Sequence, residues 1–116
     1  MDDRQRKTLL ATATAAIVAA IPGGRTPQAE SDDPQLNAHC GCFVTIKNGE
    51  MLRGCLGQFE SQQPLISLVS EMAASSATRD PRFTDTPIRP DELEALDIEI
   101  SVLSPLKKTN DPLSLR

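Results

Sequence analysis

Apolar residues recur along this chain in two periods, and the changes between them mark out the elements. Leu9, Leu10, Ala13, Ile17 and Ile21 fall on roughly one face of a helix. This predicts a helix from about residue 3 to Ala20. Asp2 and Asp3 suit its N-terminal dipole, and Pro22-Gly23-Gly24 is a strong stop. From Gly41 to Lys47 the period drops to two, with β-branched and aromatic residues in alternation, which predicts a strand. Asn48-Gly49 follows as a hairpin signal, because both positions tolerate a positive φ, and Glu50 to Phe59 returns as the partner strand. After Gln63-Pro64 the helical period resumes in Leu65, Leu68, Val69, Met72 and Ala73, the stripe of a core-facing helix. That helix should stop near Arg79-Asp80-Pro81, since the residue before a proline disfavours helical geometry. Pro90-Asp91-Glu92-Leu93 reads as a single turn. Asp97 to Val102 alternates cleanly, with Ile98, Ile100 and Val102 inward and Glu99 and Ser101 outward, and Ser104-Pro105 ends it. The order α–β–β–α–β predicts an α+β fold around a mostly antiparallel sheet.

Residues 22–38 are rich in Pro, Gly, Asp and Ser and read as a long, flexible surface loop. The tail from Leu106 to Arg116 is polar. At 116 residues the chain suits one domain. A net charge of −4 argues against a nonspecific grip on nucleic acid phosphate, and three Phe with no Trp or Tyr leave few stacking platforms for single strands. Three cysteines make an odd count without a secreted disulfide framework, which favours a reducing cytoplasm. One stretch competes with that setting. Arg4, Arg6 and Lys7 before Thr8–Ala20, with Val18-Ala19-Ala20 at its end, have the arrangement of a signal peptide. Thr8, Thr12 and Thr14 dilute the stretch, and it is too short to cross a bilayer, so the helix is the preferred reading and no membrane segment is expected.

The chemistry-bearing residues gather around Leu52-Arg53-Gly54-Cys55-Leu56-Gly57. With Asn48-Gly49 as a two-residue turn, Lys47 pairs with Glu50, Ile46 with Met51, Val44 with Arg53 and Cys42 with Cys55. The last is a non-hydrogen-bonded pair, the kind with closer side chains, so a cross-strand disulfide is within reach. Arg53 then shares a face with Cys55, where a cation favours thiolate. His39 has the other parity. A Cys55–His39 dyad, or a zinc site from His39, Cys40, Cys42 and Cys55, would need the ladder to break, as a bulge at Gly41 or Gly57 allows. No metal and no cofactor is therefore expected. Gly54 and Gly57 would let a ligand approach the backbone; the plainer alternative is a small cysteine under a helix, with glycines for close packing. Arg79-Asp80-Pro81-Arg82-Phe83 offers a candidate anion site near a helix end, with Arg79, Asp80 and Arg82 as candidate ligand-binding residues, against the alternative of a turn with an Asp–Arg pair.

Gly41-Cys42-Phe43-Val44-Thr45-Ile46, Asn48-Gly49, the hexapeptide, Asp80-Pro81-Arg82-Phe83 and Ile98-Glu99-Ile100-Ser101-Val102-Leu103-Ser104-Pro105 occur in order. Together they resemble the AMMECR domain family, called AmmeMemoRadiSam system protein A in prokaryotes, whose signature is Leu-Arg-Gly-Cys-x-Gly. The resemblance implies an α+β fold with a barrel-like mixed sheet, a cytoplasmic setting, and a Memo-type protein and a radical SAM protein as partners. It carries a candidate active site onto Arg53, Gly54, Cys55 and Gly57. It implies no particular reaction, and no oligomeric state. Domains of that family continue beyond the point matched here, with further strands, a Gly-x-His-Gly-type element and a Leu-Pro-Gln segment, so residues 1–116 are expected to form a partial domain. The acidic insertion at 27–37 is not part of the pattern. Three functions remain open: a cysteine-based enzyme with Arg53 stabilising an anion, a non-catalytic binding or adaptor domain, and a redox-active Cys42–Cys55 pair.

Overall fold

The computed structural model describes residues 2–103. The Ser104-Pro105 strand stop and the polar tail lie outside them. The order is α1 (Asp3–Ala20), β1 (Cys42–Asn48), β2 (Met51–Gln58), α2 (Leu65–Thr78) and β3 (Leu96–Val102), with 3-10 turns at Pro81–Phe83 and Pro90–Ala95 between α2 and β3. Helix α1 begins with a reciprocal cap. The Gln5 N–H donates to Asp2 Oδ1 at 2.8 Å and the Asp2 N–H donates to Gln5 Oε1 at 2.9 Å, satisfying two end groups. Its buried stripe is Leu9, Ala13, Ala16, Ile17 and Ala20, and the small residues in it let α2 come close.

Helix α2 packs on α1 and on both β1 and β2. Pro64 caps it without a side-chain hydrogen bond. Its first free N–H groups are taken instead by the preceding loop, Leu65 donating to the Ala38 carbonyl and Ile66 to the Leu36 carbonyl, both at 2.9 Å. The loop also accepts from Ser70 at the Pro27 carbonyl and from Ser67 at the Ala29 carbonyl. Residues 22–38 are thus laid along α2, with Leu36 buried under the strap.

The sheet runs β2-β1-β3 with both pairs antiparallel. The α+β expectation holds. The barrel-like mixed sheet does not: among the described residues the sheet is three-stranded, wholly antiparallel and open. Its inner face, under the helices, carries the fully buried Cys42, Val44 and Ile46 of β1, and burying an aliphatic side chain of this size stabilises by roughly 1.5–3 kcal/mol. Its outer face carries Phe43, Thr45 and Lys47, all half-buried. In β3 the expected alternation is present, Glu99 and Ser101 exposed and Ile98, Ile100 and Val102 half-buried.

Candidate functional site

Two features of the hairpin decide where the hexapeptide points. The turn residues are Gly49 and Glu50, closed by the Asn48–Met51 pair, so the reversal falls one residue later than Asn48-Gly49 suggests. Gly49 alone needs the left-handed backbone there, with φ +64°. The ladder then slips: Lys47 pairs with Leu52, but Ile46 pairs with Gly54. Arg53 is the extra residue of a β-bulge.

The bulge reverses the faces beyond it. Thr45 stands opposite Cys55, and Cys42 stands opposite Gln58. The expected Cys42–Cys55 pairing is therefore wrong. Cys42 points into the core and Cys55 lies on the outer face, and all three cysteines are free thiols. A disulfide between Cys42 and Cys55 would have to pass through the sheet. Burial, with Cys40 nearby, pushes the Cys42 thiol up to about 12, and burial also raises Cys40. Both shifts work against the thiolate form. His39 is exposed, in the segment before β1. Among the described residues, no group of three or more His, Cys, Asp or Glu side chains could hold a metal ion.

Arg53 does not serve Cys55 either. Its guanidinium is buried and grips Glu92 through Nε (3.1 Å) and Nη2 (3.0 Å), and Nη2 also donates to the Pro87 carbonyl at 3.1 Å. The Asn48 amide and the Arg89 N–H complete the shell of Glu92. The Arg53 hydrogen bonds chiefly, then the Arg89 N–H, lower the Glu92 carboxyl from its ordinary 4.5 to about 2. Arg53 thus fastens the 90–95 turn to the bulge, its Nε and Nη2 committed to Glu92 and the Pro87 carbonyl as acceptors.

The glycines of the hexapeptide are filled from within. A Cβ on Gly54 would sit 1.9 Å from the Ser76 carbonyl oxygen, and one on Gly57 would meet the Cys42 carbonyl at 2.3 Å and Phe43 Cγ at 2.5 Å. Gly54 lets the backbone of α2 lie on β2. Gly57 makes room for the Phe43 ring, which meets Phe59 edge-on at 5.3 Å between centroids. This is the close-packing alternative, with the space for a ligand taken by the protein. Ser76, buried between α2 and the sheet, donates to the Val44 carbonyl and accepts from the Leu56 N–H, both at 2.9 Å.

Cys55 itself is half-buried, with Sγ in hydrogen-bond contact with Thr45 Oγ1 at 3.2 Å. Among the described residues strand β2 is an edge, and the backbone of Cys55 on that edge is paired by side chains. The Cys55 N–H donates to Asp80 Oδ2 at 3.0 Å, and Arg82 Nη2 donates to the Cys55 carbonyl at 3.3 Å. Arg82 also grips Asp80, Nε to Oδ1 at 3.0 Å and Nη2 to Oδ2 at 2.6 Å. The Asp80–Arg82 pair thus does for Cys55 what a neighbouring strand would do, closing an exposed edge. The Arg82 bonds first, then the N–H groups of Cys55 and Arg82, hold the buried Asp80 carboxyl well below the usual carboxylate range, against the effect of its burial. Asp80 in turn raises Arg82. The Asp80 side chain is 1% exposed and that of Arg82 57%, so one face of the guanidinium meets solvent beside the thiol's strand. Arg79 is exposed at the C-terminal end of α2 and has no hydrogen bond to this pair. Of the sequence candidates, the structure gathers Cys55, Asp80 and Arg82, and sends Arg53 and Arg79 elsewhere. Thr45, Phe43, Ser76 and Glu92 were not singled out; Thr45 and Phe43 face Cys55 and Gly57 only because of the bulge.

An α+β domain with two helices backing an open antiparallel sheet, and a signature hexapeptide forming a bulged edge strand, is the class these observations define. A family model described as AMMECR1 matches residues 10–116, and the chain belongs to that family. A protein of Methanothermobacter thermautotrophicus is 40% identical over 100 residues, covering 85% of this chain and 51% of that protein. One from Methanopyrus kandleri is 41% identical over 103 residues, covering 86% and 49%. The crystal structure of an uncharacterised protein from Pyrococcus horikoshii superposes with a TM-score of 0.79 at 32% identity, over 90% of this chain and 54% of that one. The chain thus spans about half the length of the curated relatives it matches. No described helix is long and apolar enough to cross a membrane.

Proposed function

We propose that this AMMECR-type domain presents Cys55 as a reactive thiol to a partner or its substrate in the cytoplasm, and that the Memo-type and radical SAM proteins implied by the family resemblance are those partners. The observation that carries this reading is the setting of Cys55. It stands on the uncovered face of the sheet, beside Thr45, on a strand whose backbone is clamped by Asp80 and Arg82. Nucleophilic attack needs a base to take the thiol proton. The Thr45 hydroxyl is not basic, and Arg82 stays protonated. The base therefore comes from the partner or the substrate, and the Asp80–Arg82 pair, whose charges offset each other, holds the strand that carries the thiol. Titration with an alkylating reagent followed by mass spectrometry, across about pH 5–9, tests the thiol. Cys55 should react faster than a free thiol once the partner is present. Reaction at the free-thiol rate in both settings ends the nucleophile reading.

A second reading, a non-catalytic adaptor surface, is favoured by the exposure of Phe59 (72%) and Met51 (63%) next to the same strand. In a pull-down against the Memo-type and radical SAM proteins, capture kept by Cys55→Ser and lost by Arg82→Ala supports the adaptor. Wild type that captures neither protein refutes it.

A further inference from the structure

Residues 25–30 lie along a groove between the two helices and are held there almost wholly by their backbone. Ser70 Oγ donates to the Pro27 carbonyl at 3.0 Å, and Ser67 Oγ to the Ala29 carbonyl at 3.3 Å. Further on, the Leu36 and Ala38 carbonyls accept from Ile66 and Leu65, so the segment runs antiparallel to α2. Among the described residues, no other hydrogen bond or ion pair ties down residues 25–30, and Ala29 is the one residue of the six that is not exposed. The neighbouring stretch is fixed more firmly. Leu36 is buried, Gln5 Nε2 donates to Asp33 Oδ2 at 2.9 Å, and Asn37 Nδ2 donates to the Ser31 carbonyl at 2.6 Å. The weakly held residues thus hang between that anchor and Gly23, whose φ is +91°.

Their fit is poor at two places. Beside Ala29 a recess of about 440 Å³ opens against Thr12 and Ala15 of α1 and Ile66 of α2. The Thr12 hydroxyl is already engaged with the Thr8 carbonyl, so this recess is mainly apolar, and the Ala29 methyl fills little of it. On the other flank, Glu30 and Glu71 share a recess of about 310 Å³ that no cation lines, and like charges brought together repel. The two serines also make release easy. A helical Ser or Thr ordinarily returns its hydroxyl to the carbonyl four residues back, as Thr78 does to Ala74 at 2.8 Å. Ser67 and Ser70 can fall back on that bond when the segment leaves. While engaged, they recognise backbone carbonyls, which any peptide carries, and the two recesses are left to select side chains.

We propose that this α1–α2 groove docks an extended peptide of another protein, with a large aliphatic residue at the place of Ala29 and a basic one at the place of Glu30. Residues 25–30 are its displaceable occupant. The aliphatic side chain fills the recess beside Ile66, and the basic one pairs with Glu71. This does not depend on the reading of Cys55.

The test uses the full chain and a fluorescent synthetic peptide that copies residues 25–31 with Leu in the place of Ala29 and Lys in the place of Glu30. A tethered occupant competes at an effective concentration on the order of mM. Ala29→Asp, which unseats it and leaves the groove walls unchanged, should therefore bind the peptide at least about tenfold more tightly than wild type, read by anisotropy. An unaltered copy of residues 25–31 should bind at least about tenfold more weakly than the Leu–Lys peptide. Glu71→Gln, a change at an exposed position, should weaken the Leu–Lys peptide about threefold. NMR on the isotope-labelled wild-type chain needs no variant: the peptide should move the amide signals of residues 28–30 to unstructured positions and leave those of 36–38 in place. No binding to either protein up to about 1 mM, equal affinity for wild type and Ala29→Asp, or shifts confined to residues 51–59 each overturns the proposal.

Discussion

Replacing Glu92 by Gln takes one negative charge out of the network that fastens the 90–95 turn to the bulge at Arg53. Glu92 accepts from four donors, Nε and Nη2 of Arg53, the Asn48 amide and the Arg89 N–H, at 3.0–3.1 Å. Its carboxyl falls from the ordinary 4.5 to about 2. At about 1.4 kcal/mol per tenfold change in proton affinity, the bound on its contribution is roughly 3 kcal/mol. The side chain is 19% exposed, so solvent screening trims this to about 2–3 kcal/mol. The folded value lies below the unfolded one. The contribution is therefore complete above about pH 4.5 and is lost as pH falls towards 2. Gln keeps the shape and leaves the buried Arg53 cation without its counter-charge, the same loss seen from the other partner. Urea denaturation should show Glu92→Gln less stable by about 2–4 kcal/mol near pH 7, with the gap roughly halved near pH 3. A gap that stays constant from about pH 7 to about pH 3, or one below about 1 kcal/mol at neutrality, would refute the reasoning.

Gly54→Ala drives a methyl into the Ser76 carbonyl and should cost about 3 kcal/mol or more, read as a lowered Tm, because the obstacle is helix backbone. Ser76→Ala strips partners from the Val44 carbonyl and the Leu56 N–H; chemical denaturation should show a loss of about 1–3 kcal/mol, and a neutral result would mean that water replaces the hydroxyl. Asp80→Ala frees the Cys55 N–H, whose hydrogen exchange should rise at least about tenfold while core amides of β1 keep their protection. Peptide mapping under oxidising, non-reducing conditions should recover no Cys42–Cys55 link from folded protein; finding one would show that the register is wrong.

How much of this was legible varies with what enforces it. Leu65, Leu68, Val69, Met72 and Ala73 predicted α2 because its apolar stripe is set by burial against α1 and the sheet, which the period reports directly. The alternation of Ile98, Ile100 and Val102 placed β3 for the same reason. The hairpin was legible as a hairpin but not in phase. Moving the turn from Asn48-Gly49 to Gly49-Glu50 does not by itself change which side chains share a face. The bulge at Arg53 does, and it left no local signal: its causes are α2 pressing on Gly54 and Glu92 drawing in the guanidinium, both more than 20 residues away in the chain. The site followed the same rule. Asp80 and Arg82 were legible as a polar turn, but their hold on the backbone of Cys55 depends on β2 being an edge, a matter of strand order that a single sequence does not state.

The bulge also gives the hairpin a mechanical clutch. The phase of everything after Gly54 is set by α2 and by the ladder to β1, so the tip at Gly49, Glu50 and exposed Met51 is uncoupled from the orientation of the thiol. A tag or fluorophore-bearing loop can be spliced into the tip with Cys55 still facing out. Deleting the single residue Arg53 would leave Leu52 opposite Lys47 and Gly54 opposite Ile46 in an unbroken ladder, so the thiol would still face out while the 90–95 turn lost its tie to the strand.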